Sequence, residues 1–301
     1  NILINHIFFF FYFIALIKSS LKSLYFIIAV FLFAIIIMTK SSKNNRITSK
    51  NKTIKNSFKA TKLKKSHHKP GVWRKVQFPD RKWDLWVPNT KDTRRSAVVR
   101  SHLRNGRWEG HISKLLKSHA RLNSVALDIG GLIGTHTYAL SDAVGPKGKV
   151  YTFEPQPWAT HAINKTLKKN NAKNVVVKTV GVSDKTGKIH FCSDSTGGST
   201  ICTEKQKRLN SWDERYDIDI VSIDSFKLNN VSVMKIDVEG HEINVLEGAI
   251  KTIKRNKPVM VIEVWTKKKG KYDAFKKIMS KLNYNVKDIG SDNFLCTPRS
   301  N

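Results

Sequence analysis

Residues 126–135 read Ala126-Leu127-Asp128-Ile129-Gly130-Gly131-Leu132-Ile133-Gly134-Thr135. The segment passes from an apolar strand pattern, through a glycine turn, into a helical pattern. Glycines let the backbone come close to a ligand, and a helix start offers free N–H groups to a carboxylate or phosphate. A nicotinamide-binding loop would read G-x-G-x-x-G. Here the pattern is D-x-G-x-x-x-G, with an acid closing the strand. That suits a ligand carrying an amino group rather than a pyrophosphate. A tight strand–helix turn with no ligand is the competing account.

Outward from this turn, strand patterns recur at 125–128, 150–154, 175–180, 231–237 and 259–264. Most are near-continuous apolar runs, as expected of strands buried on both faces. Helical patterns fill the gaps at 135–144, 157–169, 240–254 and 271–282. The third carries Val245, Leu246, Ala249, Ile250 and Ile253 on one face. Glu239 and Glu242 stand at its start and Lys251, Lys254 and Arg255 at its end, matching the helix dipole. Two pieces break the alternation. Residues 189–192 and 218–223 read as an inserted strand pair, and 286–296 as a terminal hairpin around Gly290. The expected class is α/β: a doubly wound, mostly parallel sheet with right-handed crossovers and a C-terminal antiparallel hairpin.

Two further motifs sit at strand ends. Phe153-Glu154-Pro155 closes the second strand, 20 residues past Gly134. A carboxylate there can accept both ribose hydroxyls, as in dinucleotide folds. Met234-Lys235-Ile236-Asp237-Val238-Glu239-Gly240-His241-Glu242 closes the fourth, followed by Leu246-Glu247-Gly248-Ala249. It delivers several ionisable groups to the carboxyl edge of the sheet, where α/β sites lie. Packing does not require that many charges. An Asp-Pro-Pro-aromatic tetrad, used on amino-group substrates, is absent.

These motifs together resemble the FkbM-type S-adenosylmethionine-dependent methyltransferases. The resemblance covers about residues 106–265. It rests on Asp128-Ile129-Gly130, Phe153-Glu154-Pro155, Val182-Ser183-Asp184, the run 235–242 with Glu247-Gly248, and Ile262-Glu263. Asp237-Val238-Glu239-Gly240 is its most specific element. The resemblance implies a Rossmann-like class I methyltransferase fold, S-adenosylmethionine as cofactor, and O-methylation of a hydroxyl on a sugar or small metabolite. It implies cofactor contacts at Asp128, Gly130, Gly134, Glu154, Ser183, Asp184 and Asp237, with Ser183 and Asp184 near the adenine. The family usually has Ala-Asn after the first glycine. Gly131-Leu132 stands there in this chain, which weakens the contacts expected at the cofactor's methionine end.

Such a transfer asks the protein to hold an acceptor oxygen in line and to remove its proton. His241 is the first candidate base, because an imidazole titrates near neutrality. A histidine at a helix start that bonds locally is the alternative. Asp237 and Glu239 are the other catalytic candidates, for the base, the cofactor's ammonium or the acceptor. With Glu263 they could instead hold a divalent ion through oxygen ligands, but no metal is expected. The polar loop 195–200 is long enough to cover an acceptor.

The remaining chain is an extension. Residues 7–17 and 24–38 are apolar, separated by Lys18-Ser19-Ser20-Leu21-Lys22-Ser23. A bilayer span needs roughly 20 apolar residues, so 1–39 reads as a marginal signal-anchor. Its basic flank predicts a cytoplasmic catalytic domain. The alternative is that this segment is upstream sequence read in frame, or that the chain is a fragment: the first Met is Met38, and a product starting there would be soluble. Residues 40–70 form a basic linker without hydrophobic period, able to lie on an anionic membrane. Residues 71–121 read as an N-terminal cover, and 122–301 as the methyltransferase domain. The net charge of +31 is concentrated accordingly: residues 40–121 hold 24 Lys/Arg against 4 Asp/Glu, while 122–301 hold 28 against 19. The charge therefore argues for a basic arm rather than a nucleic-acid-binding catalytic domain. An RNA methyltransferase and an inactive membrane-tethered adapter are the competing functions. Cys192, Cys202 and Cys296 have no metal spacing, and their odd number argues against a disulfide scaffold.

Overall fold

A computed structural model describes residues 70–78, 81–91, 93–193, 199–202, 214–265 and 269–300. The expected apolar segment 1–39, all but the last residue of the linker 40–70, and most of the loop 195–200 lie outside them. Among the described residues no helix is long and apolar enough to cross a membrane.

The first elements are a hairpin of β1 (Gly71–Phe78) and β2 (Arg81–Pro88), then helices α1 (Ala97–Asn105) and α2 (Gly110–His119). The alternation follows as β3 (Val125–Ile129), α3 (Thr135–Val144), β4 (Lys149–Phe153), α4 (Pro157–Lys169) and β5 (Val175–Lys178). An insertion carries β6 (Gly181–Val182), β7 (Gly187–Ser193), β8 (Ser199–Ile201) and β9 (Glu214–Val221). The chain then resumes with β10 (Val231–Ile236), helices α5 (Glu242–Glu247) and α6 (Ile250–Asn256), β11 (Val259–Glu263), α7 (Lys269–Lys281), β12 (Tyr284–Asp288) and β13 (Asn293–Pro298).

The main sheet has seven strands in the order β12–β13–β11–β10–β3–β4–β5. The strands from β11 to β5 run parallel, and β13 pairs antiparallel with both β11 and β12. This is the doubly wound class I methyltransferase architecture expected from the sequence. The apolar runs have the expected cause: all six residues of β10 are buried, as are the last four of β3. The order reverses between β3 and β10, so a crevice opens at their carboxyl ends.

Helix α3 is buried almost all round, because the N-terminal cover closes its outer side. Trp83 of β2 stacks on Tyr138 at 4.9 Å and donates its indole N–H to Asp142 at 2.9 Å. The cover contains a two-stranded hairpin and a helix that the sequence pattern did not separate. The expected helix 240–254 is two helices. Gly248 presses against the Ser183 carbonyl, where a Cβ would collide. The Asp224 carboxylate then caps the new start, accepting from the Lys251 and Thr252 amides at 2.9 and 2.7 Å.

The insertion is larger than the expected pair. Strands β7 and β9 pair antiparallel, and β6 and β8 extend them to a four-stranded sheet. A Cys192–Cys202 disulfide ties β7 to the end of β8, leaving Cys296 as a buried thiol. An odd number of cysteines had concealed this pair. The bridge closes a short loop, so Cys192→Ser should destabilise the domain by about 2–3 kcal/mol. Thermal melts with and without reductant check this: the reductant-sensitive part of the melting temperature should vanish in the variant.

Candidate active site

The turn after β3 is held by its own backbone. The Gly130 and Gly131 amides donate to the Phe153 carbonyl at 2.9 and 3.2 Å, and the Asp237 amide donates to the Ile129 carbonyl at 2.9 Å. Gly130 has φ 87°, and a Cβ on it would collide with the Asp237 carbonyl oxygen. Two strand-end loops therefore meet at van der Waals distance, a contact that only glycine allows. The turn amides expected to await a ligand are already engaged.

A cleft of about 120 Å³ lies against these loops. Gly130, Glu154, Asp237, Glu239 and His241 line it, with Val182 as an apolar wall and Phe191 of the insertion as a cover. Five of the residues picked from the sequence thus share one cleft. Asp128, Gly134, Ser183 and Asp184 are not among its lining. Asp128 is buried and accepts from the Thr137 hydroxyl at 2.5 Å, fixing the strand to the first turn of α3. Gly134 caps α3 with φ 89° beside the Tyr138 ring. Ser183 and Asp184 lie behind His241, and the residue turned into the cleft is their neighbour Val182.

Glu154 is 4 % exposed. Its oxygens accept from the Leu132 amide at 2.9 Å and the Gln156 amide at 2.8 Å. Burial pushes its pKa up to about 7 against those bonds. Each carboxylate oxygen keeps a lone pair that can accept a further hydroxyl. A vicinal diol fits this donor set, the apolar wall fits a purine, and Asp237 and Glu239 fit an ammonium group.

His241 is a different group from the one the sequence suggested. Its Nε2 bonds to the Ser183 hydroxyl at 2.9 Å. Burial lowers its pKa to about 4, so it is neutral at physiological pH. Behind Asp237 stands a group that the sequence did not reveal. Lys235 is 1 % exposed, and its Nζ reaches Asp237 Oδ2 and Asn293 Oδ1, each at 3.3 Å. Burial alone would discharge it, but the charges of Asp237, Glu263 and Glu109 raise its pKa. Glu263 is pushed up to about 8 by burial and by the charge of Asp237. Among the described residues no group of three His, Cys, Asp or Glu side chains could hold a metal ion.

Glu109, also missed, reaches this group from the N-terminal cover. It bonds His136 Nε2 at 3.3 Å, and His136 Nδ1 bonds the Ser113 hydroxyl at 3.0 Å. Burial opposes its charge, but the His136 bond and the Lys235 charge outweigh it and hold its pKa below the usual range.

With the site in view, the sequence profile of the methyltransferase FkbM domain matches residues 128–289, which carry every strand of the main sheet but β3's first residues and β13. The chain belongs to the FkbM methyltransferase family. Its cofactor is S-adenosylmethionine, which the Glu154 cleft fits. The chain is 30 % identical over 152 residues to the hexuronic acid methyltransferase AglP of Haloferax volcanii, covering 48 % of this chain and 58 % of that protein. It is 26 % identical over 146 residues to methyltransferase 1 of Beauveria bassiana, covering 42 % and 58 %. The match thus spans less than two thirds of either relative. An FkbM methyltransferase structure from Methylobacillus flagellatus is 16 % identical, with a TM-score of 0.43 over 69 % of this chain and 55 % of that one.

A ribose held by Glu154 would make cofactor binding depend on pH. Ribose hydroxyls favour the carboxylate, so affinity should be full above pH 7 and fall as the pH drops through it, roughly tenfold per unit once the proton is bound. Calorimetry with S-adenosylhomocysteine checks this: Glu154→Gln should bind more weakly and lose the pH dependence.

Proposed function

We propose that this chain methylates a hydroxyl oxygen of a sugar or sugar-like metabolite. The observation that carries the reading is the Asp237 carboxylate. It lines the cofactor cleft, its side chain is 27 % exposed, and the buried Lys235 holds one of its oxygens. The cofactor supplies a methyl group already activated on a sulfonium. The protein has to align the acceptor oxygen, a contribution of roughly 7–11 kcal/mol in good cases, and to take its proton.

Asp237 is our choice for that proton. The new C–O bond forms as the methyl–sulfur bond breaks, and the hydroxyl proton passes to the carboxylate. What favours Asp237 over His241 is access: the His241 Nε2 is taken up by the Ser183 hydroxyl at 2.9 Å, while the Asp237 side chain is partly exposed in the cleft. Glu239 has φ 55°, a left-handed conformation that turns the backbone at the cleft. The named activity of the Haloferax relative supports a sugar acceptor, at an identity of 30 %.

The compartment enters here too. Residues 24–38 would hold the domain at a membrane, and their flank favours the cytoplasmic side. The Cys192–Cys202 bridge supports the opposite, oxidising side, and we adopt that. Alkylation of the protein in intact cells, read by mass spectrometry, tests it: both cysteines labelled as thiols would return the domain to the cytoplasmic side.

For catalysis, Asp237→Asn should lower the turnover rate roughly 10²–10⁴-fold. His241→Gln should stay within a few-fold of wild type across pH. Steady-state kinetics with labelled cofactor, and product analysis for a methyl ether, decide the matter. A His241→Gln variant that loses turnover as severely as Asp237→Asn would move the base back to the imidazole.

A further inference from the structure

The connection between α1 and α2 borders a second, open cleft of about 530 Å³, within the range of roughly 300–1,000 Å³ typical of small-ligand sites. Arg107, Trp108, Glu109 and His111 contribute from this turn, Asn105 from the end of α1, and Ser291 from the β12–β13 turn. The turn is built rather than loose. Gly106 and Glu109 both adopt left-handed conformations, with φ 65° and 41°. The Ser101 hydroxyl donates to the Arg107 carbonyl at 2.6 Å. Glu109 is tied to His136 in the first turn of α3, and His102 bonds Thr135 there at 2.8 Å.

The cleft adjoins the proposed reaction centre through one residue. Glu109 lines it and lies in the field of Lys235, which holds Asp237 in the cofactor cleft. Asn293, the other partner of Lys235, follows Ser291 by two positions.

The lining chemistry is specific. Trp108 is half-buried and offers a flat apolar surface. Asn105 and Ser291 offer hydrogen bonds suited to hydroxyls. Arg107 is exposed, and among the described residues no carboxylate pairs with it. His111 lines the same cleft, while the Glu109 charge is engaged by His136 and Lys235. The cleft therefore keeps a guanidinium for an anion, in a fork geometry that matches a carboxylate.

We propose that this cleft is the acceptor subsite and takes a hexopyranose bearing a carboxylate. The sugar ring stacks on Trp108, its acid group pairs with Arg107, and a ring hydroxyl is directed towards Asp237. This rests on the hydroxyl-methylation reading above and names the charge of its substrate.

The test is binding to the full chain saturated with S-adenosylhomocysteine. The probes are methyl hexuronides of the gluco, galacto and manno series, each beside its neutral methyl hexoside, read by ligand-observed NMR. At least one hexuronide should bind about tenfold tighter than its neutral partner. Arg107→Gln should abolish that difference, Arg107→Lys should restore part of it, and Trp108→Ala should weaken both members of the pair. S-Adenosylhomocysteine affinity, unchanged in all variants, reports that they fold. Equal binding of the pair, binding of no sugar, or variants indistinguishable from wild type would each overturn the proposal. The measurement needs no methyl transfer. Hexuronide capture without any methyl ether formed faults the function reading alone, and a methylated sugar with no charge preference faults this one alone.

Discussion

The site exists because two backbones touch. The loop after β3 and the loop after β10 leave neighbouring strands, and Gly130 lets them close until no Cβ would fit between Gly130 and the Asp237 carbonyl. The Asp237 amide, bonded to the Ile129 carbonyl, locks the contact. Everything chemical follows from it. The first loop brings the helix start and, through the Leu132 amide, the Glu154 carboxylate. The second brings Asp237, Glu239 and His241. A side chain at 130 would separate the loop that holds Glu154 from the loop that carries Asp237, Glu239 and His241.

The second constraint is electrostatic. Lys235 occupies a strand position whose neighbours are fully buried, and a lone ammonium there would be strongly destabilising. It stays charged because three carboxylates from three different elements converge on it: Asp237 after β10, Glu263 at the end of β11, and Glu109 before α2. Their mutual repulsion is relieved in two ways. Glu263 takes up a proton readily, with a pKa of about 8, and Glu109 bonds His136. The acid turned towards the cleft is Asp237. Burial thus sorts chemically similar acids into different roles.

Much of this was legible in the sequence, and the failures share a cause. Helices 135–144 and 157–169 were read to the residue, because Gly134 and Pro157 mark their starts. The hairpin at the carboxyl end was legible from the turn around Gly290. Gly130, Glu154, Asp237, Glu239 and His241, picked from the sequence, line one cleft because strand ends in this architecture face one crevice. Ser183 follows the strand that lines the cleft, and its hydroxyl bonds His241, a cleft residue 58 positions away. Lys235 was read as part of a motif, but lysine is normally exposed, and nothing local signals that this one is buried. Glu109 and His136 lie 27 positions apart, and Cys192 pairs across a loop. Such partners are set by tertiary packing, which carries no period.

Leu132 shows how far the family pattern bends in this chain. It occupies the position where the family usually has asparagine, and its φ is 45°. Asparagine tolerates that left-handed conformation because its amide can bond the local backbone; leucine has no such compensation, and strain of this kind costs of order 1–3 kcal/mol. The structure keeps the conformation because the Leu132 amide is needed elsewhere. It points at Glu154 Oε2 and helps to hold that buried carboxylate in place. The leucine side chain meanwhile lines the cleft next to Val98 and Phe153. The backbone at 132 therefore holds the Glu154 carboxylate whatever side chain it carries, and the leucine adds apolar lining where the family's asparagine would stand. The acids of the cleft are then Glu154 and those after β10, and burial of the first makes its protonation sensitive to pH near 7.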